Sequence, residues 1–246
     1  GYGRGMVNHE GKPIFPQGED LNKWTKAAEA AKMVIDLDVY KLHFNKTETD
    51  PVLKAMNSYR EVFTEKWNEE LIWGNPVNTS AQLQQRILPC FKDKDWSHTS
   101  GPIPEVYPTF RMAELFYSQN GVPIEEDVNY DHPHRYQVVT VGDDHTYYIK
   151  KGERTAYLNL YREPRFYADI TFSNSKWFEG TEGGYIVDFT YSGSCGKEQG
   201  SNDYTSTGYL VRKCMDSGDR NQNLVCVLLR LTNIYFDYIE ALAHVS

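Results

Sequence analysis

"DLNKWTKAAEAAKMVI", residues 20–35, decides the fold class of this chain. Asp20 offers an N-cap, and Leu21, Trp24, Ala27, Ala28, Ala31, Val34 and Ile35 follow the i, i+3, i+4, i+7 rule that places them on one helix face. Alanine at positions 27, 28, 30 and 31 removes bulk, so a neighbouring helix can approach closely. Paired helices of a helical-hairpin repeat need that closeness. No second copy of the unit is visible in the sequence, so repetition is not established by it.

On the C-terminal side of this stretch, Asp50-Pro51 supplies an N-cap and an N1 proline for a second helix. Its apolar stripe is Val52, Met56, Tyr59, Phe63 and Trp67, and Gly74 and Pro76 in "EELIWGNP" are its stop signals. A short helix is expected over 81–88, and a third opens at Pro108-Thr109, with Met112, Leu115 and Phe116 buried and Asn120-Gly121 at its end. Residues 122–160 read as short strands and turns, and "FYADITF" and "TGYLVRKC" alternate like half-buried strands. Residues 224–245 read as one helix with Leu228, Leu231, Ile234, Tyr235, Tyr238, Ile239 and Leu242 on its apolar face.

Composition narrows the function classes. The 246 residues can bury a sizeable core, and a net charge of −8 with no basic stripe disfavours nucleic acid as a partner. No apolar run is long enough to span a membrane. Cys90, Cys195, Cys214 and Cys226 lie far apart, without a CxxC or a Cys/His cluster, so no zinc site is expected among them. Buried free thiols are expected, with Cys195–Cys214 the pair to bridge if any does. The Gly-rich start without an initiator Met, and the end inside a helical pattern, suggest an excerpt from a longer chain.

One motif poses a question. "YREPRFYADITF", residues 161–172, sets two arginines around a proline and follows them with two aromatic residues. Such a group could stack on nucleic-acid bases. The alternative is structural: Pro164 suits the first turn of a short helix, Arg162 can reach nearby carbonyls or a carboxylate, and Phe166 pins the turn to the core. The acidic charge balance favours the structural reading.

Several segments together resemble the SusD/RagB family, the surface glycan-binding lipoproteins of Bacteroidetes outer membranes. They are "KWTKAAEAAKMVID", "PTFRMAELFYSQNGVPI", "REPRFYADI", and "TGYLVRKC" followed by "LLRLTNIYFDYIEALA". Arg111, Asn233 and Ile239 depart from the family's usual residues. The resemblance implies a mainly α fold, a TPR-like α-α superhelix with long irregular and partly β loops. On it, residues 1–246 form part of one domain: repeat-type helices over 20–88, a loop-rich region over 89–223 and a late helix over 224–246. It implies capture of an oligosaccharide at the cell surface and delivery to a SusC-like TonB-dependent outer-membrane transporter. No catalysis and no cofactor are expected, and attachment to the membrane would run through a lipid anchor absent from this chain.

A sugar ring presents an apolar C–H face and a rim of hydroxyls, so its site needs a flat exposed aromatic beside polar donors and acceptors. Trp96 in "KDKDWSHTSG" is the candidate platform, with Asp95 and His98 as neighbours and Tyr107 further along the loop. Trp96 reads equally as a loop anchor buried under the following helix. Trp24 and Trp67 read as core, Trp73 as packed and Trp177 as a strand-edge residue. His132, His134 and His145 read as solvated loop histidines, and no metal site is expected. A glycoside hydrolase on a helical scaffold and a peptide-binding helical repeat remain as alternatives. The first would need two carboxylates flanking a cleft, and the second a concave helix face.

Overall fold

The computed structural model describes residues 5–15, 18, 20–90, 103–145, 147–177, 185–199, 204–215 and 224–245. Along the chain run α1 (Leu21–Asp36), α2 (Pro51–Thr64), β1 (Leu71–Asn75), α3 (Ser80–Ile87) and α4 (Phe110–Leu115). They are followed by β2 (Val138–Thr140), β3 (Arg154–Ala156), α5 (Pro164–Asp169), β4 (Ile170–Phe172), β5 (Tyr209–Val211), β6 (Cys226–Arg230) and α6 (Leu231–Val245). The fold is mainly helical. The described strands pair only two by two, β1 with β6, β2 with β3 and β4 with β5, and no sheet closes. The chain divides into two compact units, Gly1–Leu42 with Glu69–Trp73 and Leu229–Ser246, and His43–Asn68 with Gly74–Leu228.

In the first unit α1 packs against α6. Asp20 caps α1 as expected, accepting the Asn22 N–H at 3.1 Å, and the buried residues of α1 are Ala28 and Ala31. Trp24 is half-buried and lies flat on His244, with ring centroids 4.0 Å apart. The N-terminus of α6 has half a capping box: Asn233 accepts the Arg230 backbone N–H at 3.0 Å. Buried Glu70 completes this end. Its carboxylate takes bonds from Arg230 Nη1 at 3.1 Å and from the Thr232 hydroxyl, and its carbonyl accepts the Leu231 N–H.

Residues 224–230 were expected as the start of the last helix and instead lead into β6. "LVCVLLR" is a short continuous apolar run, which has no period to separate helix from strand. Its pairing partner, β1, lies far upstream in sequence and decides the matter. Trp73, on β1, is 64% exposed and not packed. On α6 the buried positions are Leu231 and Ala241, while Phe236 and Ile239 point to solvent.

In the second unit α2 starts as expected, with Asp50 accepting the Val52 and Leu53 N–H groups at 3.0 Å each. It packs on α5. Trp67 falls beyond the helix end at φ 56° and is 61% exposed, so the apolar stripe stops at Phe63. Trp177 is fully buried in a small core with Ile87, Leu88, Val187 and Met215. The larger core includes Met56, Ala113, Leu158, Phe166, Tyr167 and Phe172. "FYADITF" splits at Asp169 into α5 and a three-residue strand buried on both faces, which pairs with β5 from Ile170↔Val211 to Phe172↔Tyr209. Its alternation is that of Pro164-led helix followed by core strand. All four cysteines are free, and the partner of buried Cys195 is Cys90, not Cys214: the Cys195 thiol donates to the Cys90 carbonyl at 2.9 Å.

Arg162 answers the question raised by its motif. It is 2% exposed, and its guanidinium donates to the carbonyls of Leu158 (2.7 Å), Ala113 (2.7 Å), Phe116 (2.5 Å) and Tyr117 (3.3 Å). It also lies over the Phe166 ring, 4.7 Å from the centroid. Burial pulls its pKa below that of an ordinary arginine, and the surrounding carbonyl oxygens replace the lost hydration. Three of those carbonyls belong to α4 and the residues just past it, which explains why this helix stops at Leu115. Met112 and Leu115, expected in the core, are exposed, and Ala113 is the buried residue of the helix. Asn120-Gly121 forms a separate turn, with Gly121 at φ 76° and the Ser118 N–H donating to Val122 at 2.9 Å. Arg165 differs from Arg162. Its side chain is half exposed and grips Glu163 through two bonds of 2.7 Å.

Two outcomes follow from this packing. Lysine cannot span four carbonyls, so Arg162→Lys leaves buried acceptors without donors and is expected to lower stability by roughly 3 kcal/mol. Arg165→Ala is expected to lower it by less than about 1 kcal/mol. Denaturant melts of both variants check the contrast, and equal losses would refute it. The exposed apolar side chains of Phe236 and Ile239 on α6, with Met33 on α1, are expected to drive self-association of the 246-residue protein. Replacing Phe236 and Ile239 by serine should suppress that association with little change in melting temperature. Sedimentation showing wild-type monomers throughout a concentration series would count against it.

Candidate functional site

Folding of the second unit leaves a cleft of about 700 Å³. Its walls come from Val138 on β2, Arg154–Ala156 on β3, Ser173 and Asn174 after β4, Thr190, and the Thr207–Tyr209 turn. Phe110, the first residue of α4, closes one side. The floor is built by polar groups that satisfy one another: Tyr209 donates its hydroxyl to Asn159 Oδ1 at 2.9 Å, and Asn159 Nδ2 donates to the Thr155 hydroxyl at 2.9 Å. Burial pushes the Tyr209 pKa upward, so it remains a donor. Phe110 meets Tyr209 edge-to-face at 5.7 Å and is 51% exposed, leaving ring surface free. Gly208 at φ 75° and Gly152 at φ 84° let the rim turn, and Asn174 at φ 67° donates to the Arg154 carbonyl at 2.6 Å.

The cleft offers groups suited to binding. One half-exposed aromatic ring stands among hydroxyl, amide and guanidinium groups. Glu153 is the single carboxylate among the described lining residues, whereas glycoside hydrolysis uses a pair. A second hollow of about 290 Å³ is lined by Arg111, Glu114, His132 and Arg135 among others. There the Glu114 carboxylate is held by the Tyr136 hydroxyl at 2.5 Å and Arg135 Nε at 2.8 Å. The Tyr136 bond foremost, with Arg135 beside it, pulls the Glu114 pKa below its ordinary value. Elsewhere in this unit His43, Glu61 and Glu65 bring three donor atoms within 4.8 Å of one another.

Of the residues singled out from sequence, Trp96, Asp95 and His98 lie outside the described residues. Tyr107 is exposed, and its hydroxyl accepts a bond from Ser206 at 3.0 Å, directly before the cleft residue Thr207. It flanks the cleft wall without lining it. Phe110 was missed because the apolar stripe of "PTFRMAELF" pointed to the opposite helix face, and a first-turn aromatic carries no signal of its own. Of the histidines, His134 is exposed beside Asp131, as expected of a loop residue. His145 is buried instead: Nδ1 meets the Tyr148 hydroxyl at 3.0 Å, and the ring packs edge-on against Tyr161.

The sequence model of the SusD family matches residues 69–246, well over half of the chain. Among curated proteins, none matches. The structure is similar to that of BT4246, with a TM-score of 0.70 and 21% identity over 94% of this chain and 43% of that one. A selenomethionine form of BT4246 gives 0.70 and 20% over 94% and 45%. A SusD-like protein, BF3747 from Bacteroides fragilis NCTC 9343, gives 0.58 and 20% over 89% and 39%. At this identity the likeness establishes a shared fold. The chain spans less than half the length of each of these proteins.

Burial of His145 lowers its pKa from the ordinary 6.5, against the opposing pull of Asp144. The unfolded chain then binds the proton more readily than the folded one. The contribution of His145 to stability is complete above the unfolded pKa and is lost as pH falls through the folded value. Between about pH 7 and about pH 5 the wild type is therefore expected to lose more melting temperature than His145→Gln does. Parallel melting curves across that range would rule this titration out.

Proposed function

The chain belongs to the SusD family, and from that premise we propose that it contributes to non-catalytic capture of oligosaccharides at the cell surface and their delivery to a SusC-like TonB-dependent transporter. The proposal places the protein at the outer membrane, held there by a lipid anchor. No described helix is long and apolar enough to cross a membrane, which agrees with peripheral attachment. The TPR-like superhelix is part of the same proposal, supported by the α1–α6 helix pair and the alanines of α1.

The observation that carries the reading is the half-exposed Phe110 ring above a floor and rim of hydrogen-bonding groups, most of them neutral. A sugar ring can lay its C–H face on the phenyl ring and direct its hydroxyls to Thr190, Thr207, Asn174 or Arg154. The loop over 91–107 is proposed as a second contact region, with Trp96 as platform and Asp95, His98 and Tyr107 beside it. The single carboxylate of the cleft speaks against the hydrolase alternative, which a reducing-sugar assay tests directly.

A glycan array identifies the oligosaccharide, and calorimetric titration then measures the variants. An aromatic stacking contact contributes on the order of 1–2 kcal/mol, so Phe110→Ala is expected to weaken binding by roughly 5–30-fold. Its melting temperature should change little, since half of the ring is already in water. Trp96→Ala should behave likewise if it is a platform. A loss of roughly 3–5 kcal/mol in stability with unchanged affinity would mark Trp96 as a buried anchor. Unchanged affinity in both variants would remove the cleft and the loop from the binding function.

A further inference from the structure

We propose that His43, Glu61 and Glu65 form a zinc-class metal site. His43 Nε2 stands 3.0 Å from Glu61 Oε2 and 3.8 Å from Glu65 Oε2. Around a tetrahedral zinc with bonds near 2.0–2.1 Å, neighbouring donor atoms lie about 3.3 Å apart. The two spacings from His43 bracket that value, and all three donor atoms lie within 4.8 Å of one another, within reach of one ion after side-chain adjustment. The two glutamates sit one helical turn apart at the end of α2, where the Glu65 N–H still donates to the Glu61 carbonyl at 2.8 Å. Backbone hydrogen bonding therefore fixes their spacing.

The surroundings are those of a built site. The His43 side chain is only 5% exposed, so its imidazole is held in one place. Asn45 Nδ2 donates to Glu61 Oε1, which leaves Oε2 facing His43. Asn45 is itself anchored, since its Oδ1 accepts the N–H groups of Thr47 at 3.1 Å and Glu48 at 2.6 Å. Outer-shell bonds of this kind orient metal-binding carboxylates. The Glu65 side chain is 54% exposed and leaves the fourth tetrahedral position open to water.

Charge supports a cation here. Two carboxylates on adjacent turns repel each other, and they stand at the helix end where the macrodipole is negative. A divalent ion balances both carboxylates beside a neutral imidazole. Nitrogen ligation selects zinc-class transition ions over calcium and magnesium, which prefer oxygen throughout. The competing account is a simple ion pair between a protonated His43 and Glu61.

The test uses the metal-stripped 246-residue protein. Zinc chloride in a calorimetric titration is expected to bind one ion per chain in this site and to raise the melting temperature. Cobalt(II) chloride should give the intense visible bands of tetrahedral coordination. Glu65→Gln keeps the side-chain volume and removes one ligand charge. It should leave the metal-free melting temperature unchanged or higher and weaken zinc binding about tenfold or more. Glu61→Gln should weaken it likewise. Absence of stoichiometric uptake, equal zinc affinity in wild type and Glu65→Gln, or equal stabilisation by calcium would each overturn the proposal.

Discussion

Arg162 is the constraint on which the second unit depends. A guanidinium buried to 2% exposure is tolerable only if its donors meet acceptors, and the carbonyls at the end of α4 are acceptors that the short helix leaves open. One side chain thus satisfies a helix terminus and joins it to Leu158, which lies far downstream. The backbone around it is equally committed. Tyr161 sits at φ 56°, a conformation that disfavours a bulky residue, and its carbonyl accepts the Gln119 N–H at 2.8 Å. The Arg162 N–H donates to the Tyr167 hydroxyl at 3.1 Å.

The cleft inherits its shape from this junction. Tyr167 donates to the Asn159 carbonyl at 3.2 Å, and the Asn159 side chain carries Tyr209 and Thr155 on its two ends. Phe110 stands at the start of the same helix whose far end Arg162 holds. The scaffold motif and the candidate binding surface are therefore separated by one and a half turns of α4. Cleft-lining groups are positioned by side chains that are fully engaged elsewhere, which is how a preorganised site would limit the ordering that binding requires.

A common electrostatic logic runs through both units, each taken by itself. Glu70 places a buried carboxylate at the N-terminus of α6, and Arg162 places a buried cation at the C-terminal carbonyls of α4. Each charge meets the helix end of opposite sign. The end of α2 breaks the pattern, with two glutamates gathered beside His43. The motif "YREPRFYADITF" shows the same discrimination within five residues, since Arg162 is an interior tie while Arg165 is a surface partner of Glu163.

By itself the sequence determined the local features whose cause is local: the caps of α1 and α2 at Asp20 and Asp50, the proline start of α5, and the structural role of Arg162. Periodicity and capping chemistry act within a few residues, so they can be read from a few residues. Tertiary structure decided the rest. Leu224–Arg230 had no period, and its pairing with β1 made part of it a strand. The apolar stripe of α4 was a misleading guide, because Arg162 claimed its carbonyls and Ala113 its buried position. Trp67 and Trp73 followed apolar patterns and yet stand in solvent, since an apolar pattern does not state whether a partner surface will arrive. The cleft joins segments from Phe110 to Tyr209, and His43 meets Glu61 and Glu65 across a loop. Such convergence depends on where the chain returns to itself, and no stretch of residues encodes that alone.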